Sequence, residues 1–183
     1  MPLAARSVVA RRACGFEGPA MLRTTLDRSN CSVRSYCAPF RLSDESGKVV
    51  FLFFGYTTCP DACPLTMSKI SDVVKRVEGA RDRIAVLFVT VDVDRDTPAM
   101  LANYVSSFRL PMVGLTGTRA AVDAVVAQYR AIYEITPSAS AGGVAVGHST
   151  YTYLIDRSGK LRYIFSYDDS AETMADVLKA VLR

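Results

Sequence analysis

An α/β domain with a central mixed sheet flanked by helices is what this sequence predicts, and three observations carry the prediction. The runs KVVFLFFGY (48–56) and IAVLFVTVD (84–92) are continuously β-branched and aromatic, as strands buried on both faces are. Segments of helical spacing follow each run. Near the end, TYTYLID (150–156) and KLRYIFSY (160–167) flank Arg157, Ser158 and Gly159 and read as a hairpin. The 183 residues suffice for one well-buried domain, and a hydrophobic content of 50% is that of a globular protein.

Taken in order, residues 1–40 show no sustained period and carry six arginines against Glu17 and Asp27. An Arg-rich, acid-poor opening resembles a mitochondrial transit peptide, yet no apolar run in it is long enough for a signal peptide or a membrane anchor. The expectation is a disordered tail or a mis-assigned start over 1–41, with the domain spanning 42–183. Residues 1–40 hold the whole net charge of +4, so the remainder is neutral and nothing in it suggests a face for nucleic acid.

After the first strand, LTMSKISDVVKRV (65–77) places Leu65, Ile70, Val73, Val74 and Val77 near one helical stripe. Beyond the second strand, Thr97 stands at the N-cap and Pro98 in the first turn of a helix through AMLANYVSSF. VGLTG is a short strand or turn, and RAAVDAVVAQYRAIY (119–133) is a further helix. After the hairpin, Ser170 caps a closing helix over 170–182. This order matches a thioredoxin-like sheet with one insertion, and a fold alone carries no activity.

The chemistry lies in GYTTCPDACP (55–64), between the first strand and the first helix. Each proline pushes the residue before it out of the helical region, so Cys59 and Cys63 are expected in turn conformations. Pro64 fits the first helical position, with Cys63 as N-cap and both sulfurs at the positive end of the helix dipole. Such a pair serves either as a redox dithiol or as a soft ligand pair suited to copper(I). Thioredoxin-like redox motifs place two residues between the cysteines, and three stand here, which leans toward metal without forbidding a disulfide. Cys14, Cys31 and Cys37 bring the cysteines to an odd five, unlike a disulfide-stapled scaffold.

The one histidine, His148, precedes the hairpin and follows the small-residue loop SASAGGVAVG (138–147). A lone histidine is more often a capped or solvent-facing residue than a ligand. In a thioredoxin-like topology, however, this loop lies beside the start of the first helix, so His148 can join the cysteines as a third ligand. Gly142, Gly143 and Gly147 make the loop permissive. Asp92 ends the second strand at the carboxyl edge of the sheet, where ligand sites of such sheets gather. It reads equally as support for the metal group or as a turn carboxylate beside Asp94 and Asp96.

Over about residues 42–183 these segments resemble the SCO/SenC family of copper-delivery proteins. LSDESGKVVFLFFGYTTCPDACP is similar to its strand-and-cysteine segment, VTVDVDRDTPAMLANYVSSF to its Asp-rich segment, and GHSTYTYLIDRSGKL to its histidine segment. The resemblance implies copper held by Cys59, Cys63 and His148, and loading of the binuclear copper centre of cytochrome c oxidase subunit II. It further implies exchange with other copper chaperones. The implied location is the periplasmic face of a bacterial inner membrane or the mitochondrial intermembrane space. Val93 stands where the family usually has proline, and Gly147 where it has the aspartate before the histidine. The family's anchor, and its extended hairpin ahead of the Gly-Lys turn, are not recognisable.

Three functions compete on these residues. A metallochaperone uses the cysteines and histidine as ligands. A thiol-disulfide oxidoreductase uses Cys59 and Cys63 to keep the oxidase subunit's cysteines reduced. A peroxidase of the peroxiredoxin type fits FFGYTTCP, but the second cysteine and the strand-leading histidine argue against it.

Overall fold

The computed structural model describes residues 26–28, 39–137 and 144–183. Residues 1–25 and 29–38, with Cys14, Cys31 and Cys37, and residues 138–143, with Gly142 and Gly143, lie outside the described residues. In chain order come β1 (Leu26–Arg28), β2 (Pro39–Phe40) and a 3-10 turn over Leu42–Glu45. There follow β3 (Val49–Gly55), α1 (Ala62–Arg76), α2 (Ala80–Arg83), β4 (Ile84–Thr90), α3 (Pro98–Ser106), β5 (Met112–Thr116) and α4 (Arg119–Gln128). The chain closes with β6 (Tyr133–Pro137), β7 (Val144–His148), β8 (Thr152–Ile155), β9 (Leu161–Phe165) and α5 (Ala171–Leu182).

One sheet runs in the order β2-β1-β5-β4-β3-β8-β9, and β6 and β7 form a separate two-stranded ribbon. The β3–β4 and β4–β5 pairs are parallel and the others antiparallel, so the sheet is mixed as the sequence predicts. Alternation along β3 divides the interior. Val49, Phe51 and Phe53 face α1 and α5 through Met67, Ile70, Met174 and Leu178. Val50, Leu52 and Phe54 face the α4 side through Val122 and Val125. With every β3 and β4 residue buried, the unbroken apolar runs are explained by helices on both faces. Each fully buried Phe or Leu contributes about 1.5–3 kcal/mol of transfer free energy.

The register puts the functional edge in place. β3 and β4 pair without offset from Val49–Ile84 to Gly55–Thr90, so both central strands end level. Thr97 caps α3 by accepting from the Met100 amide at 3.2 Å, with Pro98 in the first turn as expected. Thr118 caps α4 and Ser170 caps α5 in the same way.

The structure departs from the sequence reading in four places. Helix α1 starts at Ala62, not at Pro64, because first-turn amides have no intrahelical partner and a proline there forfeits nothing. Its buried face is then Cys63, Met67, Ile70 and Val73, and Leu65 is 49% exposed. Helix α4 stops at Gln128, although the apolar spacing continues to Tyr133. Arg130 takes a left-handed φ of 51°, and Tyr133 enters a strand paired with β7. β1 and β2 pair ahead of the Gly47 turn, where no sequence pattern signalled a hairpin, and Phe40 is fully buried.

Candidate metal centre

The site forms where β3, α1 and the β6–β7 ribbon meet. Gly55 ends β3 because nothing larger fits: a Cβ there would lie 2.7 Å from Cys63 Sγ, 2.9 Å from the Phe88 ring and 3.0 Å from Phe53. The chain then turns through residues 56–61 and enters α1 with Cys63 one residue inside it. Cys59 Sγ sits over that first turn and accepts from the Cys63 amide at 3.4 Å, satisfying a donor the helix cannot satisfy itself. Cys63 therefore lies inside the helix and not at its N-cap, and it is fully buried.

His148 comes in from the end of β7. Its Nε2 lies 3.5 Å from Cys63 Sγ and 4.0 Å from Cys59 Sγ. Its Nδ1 is 3.1 Å from the Ser149 carbonyl, which can only accept, so Nδ1 carries the proton and Nε2 turns a lone pair toward the sulfurs. Phe53 and Tyr56 meet the imidazole edge-on, at centroid separations of 5.8 and 5.7 Å, and fix its plane. The two sulfurs and the imidazole nitrogen all lie within 4.8 Å of one another. On its outer side His148 borders a cleft with Ile132, Tyr151 and Tyr167, all three of them exposed.

Electrostatics at the site run against the thiolate expected from the helix dipole. Burial pushes the Cys63 thiol well above the ordinary cysteine range. A backbone hydrogen bond at Tyr56 opposes this, and Cys59 and the Asp96 charge add to it. Burial also lowers the His148 pKa, against the Ser149 and Phe54 backbone, and keeps the ring neutral and able to ligate. Tyr56 is pushed up to about 12 by burial and by its hydrogen bond to Cys59, so it remains a neutral donor toward that sulfur. In the metal-free protein the pocket favours protonated Cys63, and a soft cation bound there would have to displace that proton.

Asp92 is placed differently from the three ligand candidates. It is buried at 2% exposure, and its carboxylate accepts from Arg95 Nε at 2.5 Å. Its carbonyl accepts from the Arg95 and Asp96 amides, so it shapes the turn after β4. The acid that holds the cysteine loop is Asp96. Its carboxylate accepts from the Thr57 amide at 2.9 Å, the Thr57 hydroxyl at 2.5 Å and the Thr90 hydroxyl at 2.6 Å. Sequence reasoning placed Asp96 only within a motif. The available signal was a carboxylate just before the Thr97–Pro98 helix start, in the loop that follows the second buried strand.

The donor set is chemically selective. Two sulfurs and one imidazole suit copper(I), while magnesium and calcium ask for oxygen ligands and no carboxylate belongs to this group. The SCO1/SenC family model matches residues 34–183. A SCO2-like protein of Rickettsia prowazekii is 30% identical over 152 residues, covering 77% of this chain and 74% of that protein. A mitochondrial SCO2 homolog of Bos taurus is 35% identical over 139 residues, covering 75% of this chain and 52% of that one. Among solved structures, copper-bound ScoI of Bradyrhizobium japonicum superposes with a TM-score of 0.75 at 33% identity, covering 87% of this chain and 97% of that one.

Proposed function

This chain belongs to the SCO1/SenC family, and from that membership we propose that it is a copper metallochaperone that takes its cargo on Cys59, Cys63 and His148. The observation that carries the reading is the convergence of two sulfurs and an unprotonated Nε2 within 4.8 Å, contributed by a turn, a helix and a ribbon. The copper-bound state of the Bradyrhizobium protein supports it. The family resemblance extends the reading to delivery into the binuclear copper centre of cytochrome c oxidase subunit II, with other copper chaperones as donors. It also extends it to work at the periplasmic face of a bacterial inner membrane or in the mitochondrial intermembrane space. Asp92 takes part at one remove, by shaping the loop that carries Asp96.

The test is titration of the full chain with copper(I) under reducing conditions and with copper(II), for wild type and single variants. Wild type takes one equivalent. Cys59→Ala and Cys63→Ala each lose tight binding, because the thiolates supply the soft-ligand preference. His148→Ala keeps weakened copper(I), which accepts two-coordinate sulfur, and loses copper(II), which needs more ligands and nitrogen among them. Unchanged affinity in either cysteine variant overturns the assignment.

A second reading rests on the closeness of the two free cysteines, whose sulfurs lie within 4.8 Å of each other. As a dithiol, Cys59 and Cys63 would reduce a disulfide in the oxidase subunit. The pair gives up two electrons and two protons and closes its own disulfide, and the target gains two thiols. His148→Ala separates the two readings, since dithiol exchange needs no third ligand.

A further inference from the structure

The β6–β7 ribbon that delivers His148 is not part of the main sheet. Two strands alone are marginally stable in water, so something else must hold this ribbon against the body. Tyr133 and His148 are directly opposed in its ladder and therefore share one face. Along that face Tyr133, Ile135, Val144, Val146 and His148 are partly buried, while Glu134, Thr136, Ala145 and Gly147 point outward. The inward face packs on the core through Tyr133 and Val146, and one concentrated polar anchor adds to that packing.

That anchor is built on Arg119, the first residue of α4. Its Nη1 donates to the Val91 carbonyl at 2.6 Å and to the Tyr133 hydroxyl at 3.1 Å, and its Nη2 donates to Asp94 at 2.7 Å. The guanidinium carbon lies 5.7 Å from the centroid of the Tyr133 ring, within cation–π range. Tyr133 completes the connection by donating to Asp123 at 2.5 Å. Val91 and Asp94 belong to the same β4–α3 loop whose Asp96 grips Thr57 of the cysteine turn. One loop thus holds the cysteines on one side and, through Arg119, the histidine ribbon on the other.

We propose that Arg119 and Tyr133 are positioning residues for His148, bolting the ribbon to the β4–α3 loop and so setting the distance between the imidazole and the two sulfurs. The consequence for metal rests on the copper reading above. The consequence for the placement of His148 does not.

The chain has a single histidine, so the ultraviolet absorbance of N-carbethoxyimidazole formed by diethyl pyrocarbonate reports His148 alone, apart from reaction at tyrosine, cysteine or lysine. In the metal-free full chain, Arg119→Met should raise the carbethoxylation rate about tenfold, as expected when hydrogen bonds that hold a locally opening segment are lost. Tyr133→Phe, which keeps the ring and removes only the hydroxyl, should raise it less. Arg119→Met should also weaken copper(I) binding about tenfold, the lower end for loss of a group that orients a metal ligand. In a His148→Ala background the same change should weaken it no further. Unchanged carbethoxylation in both variants overturns the proposal. So does equal copper(I) weakening with and without His148, which marks general destabilisation. If wild type bound no copper while carbethoxylation responded as stated, the copper reading would fall and the positioning role would stand.

Discussion

Gly55 decides how near Cys63 can come to the end of β3. The position has no room for a Cβ, with the Cys63 sulfur and the Phe88 and Phe53 rings all within 3.0 Å of where that atom would lie. Gly55→Ala must move the sulfur or two core rings, and overpacking of this kind costs about 1–3 kcal/mol. The expected result is a lower melting temperature together with weaker copper(I) binding. A variant that bound copper as wild type does would show that Cys63 can ligate from a displaced position. At this scale the ligand candidates were legible in the sequence, because prolines and a strand end isolate the two cysteines and only one histidine exists. The supporting groups were not. Asp96, Arg119 and Tyr133 reach their partners across 39, 28 and 10–14 positions of chain, and no local spacing reports such contacts.

Strands and turns set where those residues arrive. The β8–β9 hairpin follows His148 closely and pairs with β3 at Val50–Ile155 through Phe53–Thr152. Asp156 organises its turn by accepting from the Ser158 amide, the Ser158 hydroxyl and the Lys160 amide at 2.9, 2.6 and 3.0 Å, with Gly159 at φ 83°. Burial raises the Asp156 carboxyl, but these hydrogen bonds and Arg162 outweigh it and hold the group below its usual range. With a folded pKa below the unfolded one, the stabilisation is present above about pH 4 and is lost as pH falls through the folded value. Asp156→Ala should cost about 1–2 kcal/mol at pH 7, and its difference from wild type should narrow at about pH 3. Urea unfolding at the two pH values measures this, and a gap that widened in acid would contradict it. The hairpin was readable from alternation and a Gly turn. The β6–β7 ribbon was hidden, because a helical period runs on past Gln128 with no glycine or proline to stop it before Pro137.

For the whole molecule, the sheet presents the level ends of its parallel strands to one edge, and three separate elements converge there. We propose that residues 1–41 are dispensable for that site. Truncation to Leu42 still removes β1, which pairs with β5, and Phe40, which is fully buried. Losing a buried Phe costs about 3–5 kcal/mol. The shortened chain should melt at a lower temperature and keep its one-copper stoichiometry. A shortened chain that folded but bound no copper would make the tail part of the centre. The overall architecture was legible because two uninterrupted apolar runs and a closing hairpin leave few other sheets to build. The central claim is that Cys59, Cys63 and His148 ligate one ion together, and X-ray absorption at the copper edge of the copper(I)-loaded full chain tests it most directly. Two sulfur scatterers and one imidazole nitrogen are the predicted shell in wild type, with the nitrogen lost in His148→Ala. A shell of oxygen and nitrogen alone, or one unchanged by that substitution, would contradict it.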